Sequence, residues 1–106
     1  METEYTYETL RKTNKGSGTY LILVVRTTYQ KLVELFGEPD APSADGKTQC
    51  NWVVELSDGT VFTIYDWKEY DTKPEDVTTW HIGGNDKDLH TLRLFLFNQL
   101  GLEEDK

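Results

Sequence analysis

Hydrophobic and polar residues follow a strand-like pattern most clearly between residues 50 and 67. Two runs rich in β-branched and aromatic side chains flank Asp58-Gly59, the dipeptide favoured by a two-residue type I′ turn. Both central residues of that turn need positive φ, which Asp and Gly tolerate. The pattern therefore predicts a β-hairpin in which residues 50–56 pair with residues 61–67.

The loop length also predicts the register of this hairpin, and so the face on which each side chain lies. A two-residue loop pairs Leu56 with Val61 and Trp52 with Tyr65. Alternation then divides the large side chains between two faces. One face would carry Trp52, Val54, Leu56, Val61, Tyr65 and Trp67, and the other Val53, Phe62 and Ile64. Because both faces would be apolar, part of the hairpin is predicted to contact a partner or a second copy of the chain.

Three further stretches are strand-like. Residues 2–10 place acids on one face of an alternating segment, which is typical of an edge strand. Residues 19–26 are nearly continuously β-branched and aliphatic, which indicates a buried central strand. We expect these two strands to pair antiparallel. Residues 77–83 should add a further sheet segment, which Gly83-Gly84 ends.

Two stretches carry apolar residues at helical spacing. The first covers about residues 28–36, with Thr27 as its predicted N-cap and Gly37 as its left-handed stop. The second begins after the predicted N-cap Asn85 and ends at Gly101. We expect both helices to pack on one face of the sheet, because an antiparallel sheet can bury one face and leave the other in contact with solvent.

The predicted fold class is α+β, an antiparallel five-stranded sheet with two helices in the order β-β-α-β-β-β-α. A chain of 106 residues fits one domain, which we assign to residues 1–106. The longest apolar run, residues 20–25, is too short to cross a membrane. The single cysteine, Cys50, suits a reducing compartment, and the N-terminus does not resemble a signal peptide. We therefore expect a cytoplasmic protein.

The charge balance narrows the classes of partner. Nineteen acidic residues stand against 11 basic ones, which gives a formal net charge of −8. Nucleic acids and anionic membranes repel such a chain, because proteins that bind them neutralise phosphates with Lys and Arg. A partner with a basic surface is favoured. The alternative is that the acids only increase solubility.

Residues that could carry catalysis or metal binding are few. His81 would act as a general base if strand pairing brings Asp66 beside it; otherwise it is a partly buried residue with a structural hydrogen bond. Cys50, His81 and His90 lack the close-spaced pairs that zinc sites use. We therefore predict a protein that is not an enzyme, with no catalytic residue, no metal and no cofactor.

A cluster of aromatic and charged residues is the predicted partner-binding site. Tyr and Trp serve as anchors in protein interfaces because they combine a large apolar area with a polar group. The alternative is that Trp67 and Trp80 complete the core. The predicted site comprises Tyr65, Asp66, Trp67, Lys68, Glu69, Tyr70, Trp80 and His81.

Several of these motifs resemble a group of small uncharacterised bacteriophage proteins. The similarity spans about residues 27–100 and is carried mainly by Tyr65-Asp66-Trp67 and by Trp80-His81-Ile82-Gly83-Gly84. It implies a phage origin and a compact α+β fold. The helix ending in Gly37, followed by a Trp-bearing hairpin, also resembles the repeat unit of the β-lactamase-inhibitor-protein type, which is a binding fold.

Phages use small acidic proteins to block host nucleases and other defence systems, including CRISPR effectors. The resemblance therefore implies a non-enzymatic, anti-CRISPR-like inhibitor that acts in the cytoplasm of the host cell. Two alternatives remain. One is a small-ligand or nucleotide-binding protein with a pocket around Asp66, Trp67, Trp80 and His81. The other is a structural module that forms a homodimer.

Overall fold

One antiparallel sheet dominates the computed structural model, which describes residues 4–10, 19–39, 50–66 and 72–105. Its strands are β1 (Tyr7–Leu10), β2 (Tyr20–Arg26), β3 (Asn51–Leu56), β4 (Val61–Tyr65), β5 (Thr79–Gly84) and β6 (Glu103–Glu104). The helices are α1 (Tyr29–Phe36) and α2 (Leu89–Arg93), and α2 continues into a π-helical segment, Leu94–Gln99. Short 3₁₀ turns cover Pro74–Asp76 and Asp86–Asp88.

The strand order is β1-β3-β4-β5-β2-β6. The α+β class, the antiparallel sheet and the two helices are confirmed. The predicted number of strands is wrong, because the two-residue β6 has no alternation that would reveal it. The predicted pairing of the first two strands is also wrong: β1 pairs with β3, and β2 pairs with β5 and β6. Pairing with β5 sets Leu23 and Val25 beside Ile82 and Trp80, which joins four buried apolar side chains.

The central hairpin differs from its prediction by one residue. Trp52 pairs with Ile64 rather than with Tyr65, and Glu55 rather than Leu56 pairs with Val61. The cause is the loop, which has three residues, 57–59, because the Leu56 amide donates to the Thr60 carbonyl at 2.8 Å. Three-residue hairpin loops are the next most common after two-residue loops and place a left-handed residue last.

This shift changes which side chains share a face. We call the face that packs against α1 and α2 the helix side, and the opposite one the outer face. The helix side of the hairpin carries the large apolar residues Trp52, Val54, Leu56, Phe62 and Ile64. The outer face carries Asn51, Val53, Glu55, Val61, Thr63 and Tyr65. The prediction that both hairpin faces are strongly apolar is therefore wrong, because most of the large groups lie together in the core.

Gly59 closes the hairpin loop with a φ of +92°. A Cβ at this position would meet nothing within 4 Å, so any cost of a side chain comes from the backbone conformation alone. We expect Gly59→Ala to lower the free energy of unfolding by about 1 kcal/mol, measured by urea denaturation. Gly59→Asn should cost less, because Asn tolerates the left-handed region better. Equal stability of the alanine variant and the wild type would contradict this loop conformation.

Both helices bury their apolar stripes on the helix side. Leu32 and Phe36 come from α1, and Leu92 comes from α2. Phe95 and Leu96 of the π-helical segment complete the contact. These side chains and the inward residues of the sheet form one cluster. Within the described residues, no helix has the length and apolar character needed to cross a membrane.

The helix ends follow local sequence signals, with small displacements. Thr28 rather than Thr27 is the N-cap of α1, and its Oγ1 accepts from the Lys31 amide at 3.1 Å. The predicted stop at Gly37 is confirmed, with a φ of +83°. Gly101 likewise has a φ of +75°. The sequence signal thus sets both ends of α1 to within one residue. The predicted N-cap Asn85 instead precedes the 3₁₀ turn Asp86–Asp88 without a side-chain capping bond, and α2 begins at Leu89.

Gly83 and Gly84 are the last two residues of β5, so the strand ends at this glycine pair as predicted. β2 is irregular between Leu21 and Leu23, where its register against β5 shifts by one residue. A Cβ on Gly84 would lie 2.8 Å from Cδ1 of Ile22. The glycine therefore provides room for the extra side chain of this irregular segment.

Candidate partner-binding surface

Four residues of the predicted binding site belong to the described part of the chain. Tyr65 ends β4, Asp66 follows it, and Trp80 and His81 are neighbours in β5. Predicted site residues 67–70 lie outside the described residues. Alternation along the strands separates the four described residues, because successive side chains in a strand point to opposite faces.

Trp80 lies on the helix side and has no exposed area. Its ring stacks on Tyr29 with centroids 6.4 Å apart and meets Trp52 edge-on at 5.6 Å. This is the position of a residue that completes the core, which was the alternative to a surface anchor. A partner that binds this conformation has no direct access to Trp80.

Asp66 is also completely buried. The hairpin register makes Asp66 the next partner of Cys50, and the Cys50 amide donates to Oδ1 of Asp66 at 3.0 Å. His81 instead pairs with Tyr65, one residue earlier in β4. Alternation after Tyr65 directs the Asp66 side chain away from the face that carries His81, which argues against Asp66 as the group that orients a general base.

The Cys50 thiol lies in an acidic environment. Burial, followed by the negative charges of Asp66, Glu75 and Glu38, raises the pKa of Cys50 to about 11. Burial likewise raises the pKa of Tyr29, and the charges of Cys50, Glu38 and Glu75 add to this effect. A thiol that keeps its proton is a weak nucleophile, so this environment opposes a catalytic role for Cys50.

The raised pKa of Cys50 predicts a loss of stability at alkaline pH. An unperturbed thiol ionises near 9.0, whereas the folded thiol ionises near 11. Between these values the unfolded chain binds fewer protons than the folded chain, so the free energy of unfolding falls as pH rises. The contribution is fully present below pH 9. Urea denaturation at a series of pH values should show a shallower alkaline decline in Cys50→Ala; an identical decline would contradict the prediction.

Tyr65 and His81 form a ring pair on the outer face. Their centroids are 5.5 Å apart, with the rings at 76° to each other. Both side chains are partly buried, and burial raises the pKa of Tyr65. Gly83 lies beside the pair, and a Cβ there would be 3.5 Å from the Tyr65 ring. A Cβ at Gly83 would thus make an ordinary van der Waals contact with this ring.

Strand β2 extends this surface. Leu21 pairs with Gly83 and Val24 pairs with His81, so both share the outer face with the ring pair. Leu21 is 49% exposed and is one of the two large hydrophobic residues that stand out as exposed in the described part. We call Leu21, Val24, Tyr65 and His81 the outer-face patch. The apolar pattern of residues 19–26 predicts that Leu21 is buried, since no local signal distinguishes it from the other apolar residues of that stretch.

Of the four residues proposed for a ligand pocket, Trp67 lies outside the described residues. Asp66 and Trp80 are buried, and His81 lies on the outer face. A groove of about 450 Å³ lies at the β1–β3 edge, lined by Thr6, Tyr7, Glu8, Glu55, Leu56, Ser57 and Gly59. No group of three or more His, Cys, Asp or Glu side chains within the described ranges could hold a metal ion.

Among the described residues, the outer-face patch is thus a candidate binding surface. Its character is aromatic and aliphatic, in a chain whose overall charge is −8. Comparison with protein-family models finds no match for this chain, and a search of curated proteins finds none that matches its sequence.

Proposed function

We propose that the chain is a non-enzymatic binding protein of phage origin that inhibits a host defence or nucleic-acid-handling protein, in the manner of an anti-CRISPR protein. The observation that carries this proposal is the outer-face patch, an aromatic pair next to a half-exposed leucine on the sheet face opposite the helices. The phage origin rests on the sequence resemblance alone. The host cytoplasm is the proposed site of action.

The side chains of the patch suit a protein interface. Tyr65 and His81 already hold each other in place, so ordering them on binding costs little conformational entropy. Leu21 adds apolar area that is 49% exposed. An aromatic anchor surrounded by apolar contacts is the usual composition of the energetic centre of an interface.

Charge favours a basic partner for this surface. Glu8 and Glu55 face each other across β1 and β3 on the same outer face. The whole chain carries a net charge of −8. Charge complementarity increases the rate of association and selects against acidic proteins. A nuclease or CRISPR effector has a basic surface where it binds nucleic acid, so this class of host protein fits the surface in charge.

A plaque assay tests the proposal. The chain is expressed in bacteria that each carry one defence system, including CRISPR effectors of several types, and the cells are infected with a phage that the system restricts. We expect the chain to restore plaque formation against at least one system. The double variant Tyr65→Ala/His81→Ala should lose this effect, because one interface anchor typically contributes about 2 kcal/mol, or roughly 30-fold in affinity.

The control for this assay is Gln30→Ala, a substitution at an exposed position of α1. It should leave plaque formation unchanged. Circular dichroism establishes that both variants remain folded. The proposal is wrong if the wild-type chain protects phage from none of the systems and captures no host protein at low salt. Full activity of the folded double variant would show that the outer-face patch is not the binding surface.

A further inference from the structure

We propose that the partner adds a basic, extended segment to the sheet at the open edge of β2; this inference rests on the proposed function and names the chemistry of its partner. The open edge is the backbone of residues 20–23 on the side of β2 that faces away from β5. Proteins commonly bind extended peptides in this way, with main-chain hydrogen bonds supplying affinity and side chains supplying specificity.

Among the described residues, β6 is the strand on this side of β2, and it covers only the other end. β6 pairs with Val25 and Arg26, and the Asp105 amide donates to the Val24 carbonyl at 2.8 Å. Within the described ranges, no strand pairs with residues 20–23 on this side. An exposed edge of this kind is a template for another strand.

The side chains at the open edge are suited to hold such a strand. Tyr20 and Leu21 are each 49% exposed. Leu21 belongs to the outer-face patch, whereas Tyr20 pairs with Gly84 and its hydroxyl accepts from the Asp86 amide at 3.2 Å. A strand added here would therefore meet one large side chain on each face of the sheet. Its outer-face residues would lie next to the Tyr65–His81 pair.

The charges next to the edge favour a basic occupant. Arg26 pairs with Asp105 at 2.7 Å and Arg93 with Glu104 at 3.5 Å, so these cations are already engaged by acids of the C-terminal segment. The neighbouring acids Asp86 and Glu103 are exposed.

A second copy of the chain is a less suitable occupant of the edge. It would bring another net charge of −8 against the first. The register shift between Leu21 and Leu23 also disfavours a long, regular pairing of two β2 edges, because irregular edges limit strand addition to short segments.

A defined peptide tests this inference on the full-length chain. The probe is a seven-residue peptide of alternating lysine and valine with blocked ends, and its comparison is the same peptide with glutamate in place of lysine. NMR titration of the ¹⁵N-labelled chain should show shifts and slowed amide exchange at residues 20–24 with the lysine peptide only. Raising the salt concentration should weaken the binding, because the charges at the edge are exposed.

Two lysine substitutions distinguish peptide binding at the edge of β2 from a general effect of the chain's charge. Leu21→Lys places a positive charge at the edge and should weaken binding of the lysine peptide by about tenfold. Gln30→Lys adds the same charge on exposed α1 and should leave binding at the edge unchanged. Both variants retain the hydrophobic core, since neither position is buried.

Four outcomes would overturn the inference: no peptide binding at millimolar concentration, equal binding of both peptides, wild-type affinity in Leu21→Lys, or sedimentation showing a dimer that Leu21→Lys abolishes. Failure here is distinguishable from failure of the proposed function. If Leu21→Lys still restores plaque formation and the Tyr65/His81 double variant does not, the function stands and the edge is not used. If the lysine peptide binds at the edge but the wild-type chain protects no phage, the function is wrong.

Discussion

Replacing Trp52 with alanine should lower the free energy of unfolding by about 3–5 kcal/mol, as for other large aromatic residues in protein cores. Trp52 is 1% exposed and meets Trp80 edge-on at 5.6 Å. It also contacts the ring of Tyr29, with centroids 6.0 Å apart. The alanine variant would lose these contacts and leave a cavity between the sheet and α1. Because a domain of this size has a total stability of about 5–15 kcal/mol, the variant should be close to unfolding.

A second substitution at the same site separates packing from hydrogen bonding. The indole Nε1 of Trp52 donates to the carbonyl of Gly37 at 2.8 Å, which ties β3 to the end of α1. Trp52→Phe keeps most of the ring contacts but removes this donor, so its expected cost is smaller, about 1–2 kcal/mol. Urea denaturation followed by circular dichroism measures both variants. A loss below 1 kcal/mol in Trp52→Ala would place the indole outside the core.

Gly83→Ala should also destabilise the protein, by about 1–3 kcal/mol, although alanine in a strand is normally more stable than glycine. The new Cβ would collide with Oγ1 of Thr63 on the neighbouring strand β4. Thr63 is 8% exposed, and its β-branched side chain has few alternative rotamers. The collision therefore requires a shift of the packed side chain or of the backbone.

Two further variants test whether Thr63 causes the effect. Gly84→Ala is the matched control, because its Cβ would mainly approach the flexible ends of Ile22 and Leu92, at 2.8 Å and 3.1 Å. Its cost should be smaller than that of Gly83→Ala. Combining Gly83→Ala with Thr63→Ala removes the obstructing hydroxyl. The double variant should therefore lose less free energy of unfolding than the two single variants lose in sum. Simple additivity of the two changes would show that the hydroxyl is not the obstacle.

The outer-face patch was only partly predictable from sequence. Tyr65 and His81 belong to the aromatic and charged cluster that the sequence predicts, and the fold brings them together. Trp80 and Asp66 belong to the same cluster, but both are buried. Composition identifies residues that are able to anchor an interface, whereas exposure depends on the face of the sheet that the helices cover. Leu21 was missed for the same reason.

The amino-acid sequence by itself determined the α+β class, the hairpin around Asp58-Gly59, the first helix and the excess of negative charge. These features depend on local periodicity, turn chemistry and composition. The tertiary structure decided the strand partners, the one-residue register of the hairpin and the division of aromatic residues between core and surface. The physical reason is that loops of two and three residues differ little in local energy, while the choice between them moves every side chain of β4 to the other face. Only burial of Trp52, Phe62 and Ile64 in one core, through contacts distant in sequence, favours one register over the other.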